Sequence, residues 1–65
     1  MKLDYDEKAD ALYVRFSDQR VAESEEARPG LILDFDGAGH IVAIELLNAR
    51  AQLDPAALAN IQAAE

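Results

Sequence analysis

The sequence predicts a small α+β domain: an antiparallel β-meander built from two similar hairpins, with one C-terminal helix packed on the sheet. Two observations carry this. Residues 33–46 form a polar loop between two apolar-patterned strands, and residues 3–16, thirty positions earlier, repeat them without a gap. Leucine falls on leucine, Asp4-Tyr5-Asp6 on Asp34-Phe35-Asp36, and apolar on apolar beyond the loop. Near the C-terminus, Leu53-Asp54-Pro55 has the chemistry of a helix start. The reading is one domain over residues 1–65, with the sheet at about 2–48 and the helix at about 55–64.

In the first hairpin, Lys2 to Tyr5 alternates polar and apolar, and Leu12, Val14 and Phe16 share one face of the next strand. A loop over Glu7-Lys8-Ala9-Asp10 pairs Tyr5 with Leu12 and Leu3 with Val14. A slip of one residue would turn one strand's apolar set toward water.

Ser17-Asp18-Gln19-Arg20 reads as a turn. Between Val21 and Arg28 neither alternating face is apolar. An edge strand guarded by charge fits this stretch, and an irregular acidic loop fits it nearly as well. Pro29-Gly30 then interrupts the ladder.

In the second hairpin a loop over Gly37-Ala38-Gly39-His40 pairs Phe35 with Val42, Leu33 with Ile44 and Leu31 with Leu46. The opposite face sets Asp34 against Ala43 and Ile32 against Glu45, and is the more polar of the two. In the helix Asp54 caps the free amides, Pro55 takes the first position and Leu53 packs on Leu58. Leu58 and Ile61 give it a narrow apolar stripe. A helix this short must dock. The expected place is its own sheet, over Leu12, Val14, Leu33 and Ile44, with a second subunit's sheet as the rival.

Sixty-five residues bury a small core, and the chain contains no cysteine, so oligomerisation is the ordinary remaining source of stability. A homodimer is expected. No signal-like leader or membrane-length apolar run is present, which makes a cytoplasmic location the expectation. Thirteen acidic residues against six basic ones give a net charge of −7. That balance opposes binding to nucleic acid or anionic lipid and suits a basic protein partner. An apolar fraction of 51% argues against a disordered acidic chain.

Two constellations merit attention. Arg15, Asp34 and Glu45 converge on the polar face, with Tyr13 nearby, if the hairpins pack side by side, and form an interaction site or a salt-bridged surface. Asp34, Asp36 and Glu45 are the alternative, a divalent-metal or small-ligand site, although the strand context and the missing further ligands fit calcium loops poorly. His40 sits in a turn, the only serines are Ser17 and Ser24, and the glycines match no phosphate or dinucleotide loop. No catalytic residue and no cofactor are assigned, and the chain is read as a non-enzyme.

Tyr5-Asp6, then residues 9–16 (Ala-Asp-Ala-Leu-Tyr-Val-Arg-Phe), then residues 29–36 (Pro-Gly-Leu-Ile-Leu-Asp-Phe-Asp), then residues 41–47 (Ile-Val-Ala-Ile-Glu-Leu-Leu) resemble the small prokaryotic proteins of domain-of-unknown-function family 2283 (DUF2283). The likeness spans about residues 3–49, with Ala43 standing where the family pattern has glycine. The resemblance implies a meandering antiparallel sheet with a helix and no catalytic residues. It also implies an antitoxin-like role, since members look like partners of small toxin-like proteins. The reading is therefore a small acidic interaction module that binds a basic protein, with a metal- or ligand-binding protein and a structural domain without independent activity as alternatives.

Overall fold

The computed structural model describes residues 1–64. Five strands, β1 (Lys2–Asp6), β2 (Ala11–Arg15), β3 (Glu23–Arg28), β4 (Leu31–Phe35) and β5 (Ile41–Leu47), are followed by a short helix α1 (Ala49–Gln52) and a longer one, α2 (Pro55–Ala64). The strands form one antiparallel sheet in the order β1-β2-β5-β4-β3. Strands β3, β4 and β5 follow one another as a meander. The connection from β2 to β3 crosses the ends of β5 and β4, tied down where Phe16 N–H donates to Val42 O (2.8 Å) and Ala22 N–H to Phe35 O (2.7 Å).

The duplicated sequence pattern becomes a pseudo-two-fold axis. Val14 pairs with Ile44, its own equivalent thirty residues on, and Tyr13–Glu45 and Arg15–Ala43 flank that pair symmetrically. Strand β1 thus stands to β2 as β4 stands to β5. Tyr5–Leu12, Leu3–Val14, Leu33–Ile44 and Leu31–Leu46 are in the expected register. Phe35 is not: it pairs with Ile41, because the register shifts between Asp34 and Phe35. The irregularity admits one more residue on β5, next to Val42, whose carbonyl receives the β2–β3 connector. The ambiguous segment before Pro29 is an edge strand, and all six of its residues are exposed.

The core lies on one face. Tyr5, Leu12, Val14, Leu46 and Ala49 are buried together, and Leu53, Leu58 and Ile61 pack onto them beside Leu3, Leu31 and Ile44. The C-terminal helix therefore docks on its own chain, and its main contact with the sheet is through β1. Leu33, expected beneath the helix, is not among the residues packed in this cluster. The shift toward β1 comes from α1, which the sequence pattern did not reveal. One turn of helix after Asn48 (φ 53°) turns the chain toward the first hairpin before α2 starts. Asp54 caps α2 as expected, its Oδ1 accepting the N–H groups of Ala56 (2.9 Å) and Ala57 (3.0 Å).

Candidate functional site: the helix-free sheet face

Side chains alternate across a sheet, so packing α2 over Leu3, Tyr5, Leu12 and Val14 leaves the other face without a helix. Two cross-strand rows occupy its centre. One reads Lys2, Arg15, Ala43, Asp34, Ser24 from edge to edge, and the next reads Asp4, Tyr13, Glu45, Ile32, Glu26. The second row alternates carboxylate with apolar or aromatic across all five strands. Strand spacing puts its successive carboxylates about 9–10 Å apart at the backbone.

Asp34 is the unexpected member, since it is only 3% exposed. It lies between Ala43 and Ser24, and the Ser24 hydroxyl donates to its Oδ1 at 2.6 Å. Glu45 is a diagonal neighbour on β5. Burial, then the charge of Asp34, then a side-chain hydrogen bond with Asp34 raise the Glu45 pKa above the ordinary glutamate value. Ser24 was missed as a participant because the register of β3, which aims its hydroxyl at Asp34, is weakly specified by a strand of exposed residues.

Arg15, Asp34 and Glu45 do lie on this one face. Arg15 pairs instead with other groups: its Nη1 donates to Tyr13 Oη at 2.9 Å and its Nη2 to the Gln19 carbonyl at 2.5 Å. Among the described residues no ion pair joins Arg15 to either acid; Arg50 pairs with Asp10, and His40 Nδ1 lies 3.6 Å from Asp36 Oδ2. Asp36 is separated from the other two acids by its work in the second hairpin's turn. Its Oδ1 accepts the N–H groups of Ala38 (3.0 Å) and His40 (2.9 Å). The His40 amide is the main cause of its lowered pKa. Among the described residues no group of three or more His, Cys, Asp or Glu side chains is placed to hold a metal ion.

The Tyr-Asp and Ala-Asp-Ala pattern of the first hairpin has a local purpose. Asp6 Oδ1 accepts the N–H groups of Lys8 and Ala9, both at 3.1 Å. Asp10, with φ 54°, accepts the Tyr5 hydroxyl at 2.7 Å and the Arg50 amide at 3.1 Å. The bond to Asp10, then burial, push the Tyr5 phenol above its ordinary pKa. These residues tie the first turn to α1.

Fold and face together define a small antiparallel α+β protein with a carboxyl pair on an open sheet face. The chain belongs to the family described as protein of unknown function (DUF2283), which it matches over residues 2–50. Searches against curated proteins and against solved structures found no match. No helix is long and apolar enough to cross a membrane among the described residues.

Proposed function

We propose that this chain is a non-catalytic binding module that engages a basic protein partner across the helix-free face. The observation that carries the reading is the row Asp4, Tyr13, Glu45, Ile32, Glu26, in which carboxylates alternate with an aromatic and an aliphatic side chain. Such a row suits a basic amphipathic segment, whose cations meet Glu45 and Glu26 while its apolar side chains meet Tyr13 and Ile32. Arg15, the cation nearest to hand, is committed to Tyr13 and Gln19 and leaves the acids to an outside partner. The net charge of −7 favours encounter with a basic protein, and an antitoxin-like pairing with a small basic toxin is one form this takes.

The test is affinity capture from extracts of the source cell, comparing the wild type with the Glu26→Gln/Glu45→Gln variant. The expected result is a stoichiometric basic protein retained by the wild type and depleted at least tenfold by the variant. Equal recovery on both baits, or no stoichiometric partner on either, contradicts the proposal.

A further inference from the structure

Only six residues of the chain are basic, against thirteen acidic ones, yet two of the six stand directly opposite each other: Lys2 on β1 pairs with Arg15 on β2. Like charges set opposite one another across two strands destabilise a sheet. Among the described residues no carboxylate forms an ion pair with either cation. Arg15 donates from Nη1 to the Tyr13 hydroxyl and from Nη2 to the Gln19 carbonyl, both uncharged groups. Its charge is left uncompensated, and the rest of its five N–H donors are left for other acceptors.

The two cations border a solvent-open cavity of about 220 Å³ at the end of the first hairpin away from its turn, and Met1, Phe16, Ser17 and Asp18 complete its lining. Arg15 also fixes one wall. Its bond to the Gln19 carbonyl, and the bond from the Gln19 N–H to Ser17 Oγ (3.2 Å), hold the loop that follows β2. The Ser17 hydroxyl keeps its own hydrogen to donate. Phe16 lies just past the end of β2 and is 45% exposed, so an apolar ring stands beside the cations. A cavity of about 150 Å³ takes benzene, which makes 220 Å³ enough for one ring carrying a charged group.

We infer that this cavity binds a small organic anion, a carboxylate or phosphate group carried on a single apolar ring. Lys2, Arg15 and the Ser17 hydroxyl take the anionic group, and Phe16 and Met1 cover the ring. Binding relieves the repulsion across the Lys2–Arg15 pair, so the occupied cavity stabilises the fold. Asp18, the carboxylate in the lining, opposes an anion and keeps the affinity modest. The cations lie at the β1–β2 end of the sheet, and the inference stands independently of the partner proposed above.

The test is titration of benzoate, phenyl phosphate and inorganic phosphate into the isotope-labelled chain, followed by amide NMR shifts. Saturable shifts at Phe16, Ser17 and Asp18 are expected for benzoate or phenyl phosphate with a Kd of about 1 mM or tighter, the tighter of the two identifying the anionic group. Inorganic phosphate, which has no ring for Phe16 to cover, is expected to bind several-fold more weakly. Lys2→Gln removes the cross-strand repulsion along with the charge, so it is compatible with the fold, and far-UV circular dichroism checks that the fold is retained. It is expected to weaken the tighter ring-bearing anion by about tenfold. Lys8→Gln makes the same charge change in the turn at the far end of the hairpin and is expected to leave that affinity unchanged. The inference is overturned if neither ring-bearing anion gives saturable shifts up to about 10 mM, if inorganic phosphate binds as tightly as they do, or if Lys8→Gln weakens binding as much as Lys2→Gln.

Discussion

The carboxylate of Asp10 accepts the backbone N–H of Arg50, forty residues away in the chain, at 3.1 Å. The Asp10 carbonyl takes the Ala49 N–H at 3.0 Å, and Arg50 returns a donor to the Glu7 carbonyl at 3.1 Å. One aspartate thus satisfies free amides at the start of α1 and, through Tyr5, fixes the edge strand to the same point. Asp10→Ala removes the carboxylate that accepts from the Arg50 amide and the Tyr5 hydroxyl, keeps the backbone carbonyl, and places a less tolerant residue at φ 54°. The expected cost is about 1–3 kcal/mol, read as a lower midpoint in urea with an unchanged slope. Asp10→Asn, which tolerates that backbone and keeps an acceptor, is expected to lose less.

Glu45 makes stability depend on pH in a stated direction. Its folded pKa lies above the unfolded value, so its contribution is fully present below about pH 4.5 and is lost as pH rises through the raised value. Glu45→Gln keeps a donor toward Asp34 without the charge. The variant is expected to melt above the wild type at pH 7, the gap closing toward pH 4. Thermal melts across that range check it, and a gap independent of pH would contradict the raised Glu45 pKa.

Asp36 has the opposite sign. Its pKa is depressed, chiefly by the His40 amide, so its contribution is present above the ordinary aspartate range and lost as pH falls through the lowered value. Asp36→Ala is expected to lower the melting temperature at pH 7 and to match the wild type more closely in strong acid. Melts of the two proteins from pH 7 to pH 2 measure this.

Gly30 closes the approach to β4 with φ +84°. A Cβ there would sit 2.6 Å from Gln52 Nε2 and 3.2 Å from the Leu47 carbonyl. Gly30→Ala is expected to cost about 1–3 kcal/mol in denaturant titration. Shortening the obstacle with Gln52→Ala is expected to recover only part of the loss, since the backbone conformation remains strained.

Much of this architecture was legible in the chain because it rests on local chemistry. The pairings Tyr5–Leu12 and Leu33–Ile44 follow from side-chain alternation, and the α2 start follows from Asp54-Pro55. Three features depend on tertiary contact and left little trace. Helix α1 has only four residues, and its N-terminal amides are satisfied by Asp10 from the far end of the chain. The irregularity at Asp34 and Phe35 answers the β2–β3 connector crossing β5. The burial of Asp34 depends on Ser24, whose strand has no apolar face to set its register. For the candidate face, the sequence placed Arg15, Asp34 and Glu45 together but could not show that Arg15 turns to Tyr13 and Gln19, a choice made by a folded loop.

The central claim, that the row through Glu45 and Glu26 binds a basic partner, is tested most directly by calorimetric titration of the captured partner into the wild type and into Glu26→Gln/Glu45→Gln at two salt concentrations. The account predicts a wild-type Kd that weakens as salt screens the charges, and a variant at least tenfold weaker with a shallower salt dependence. Equal affinities for the two proteins, insensitive to salt, would contradict it.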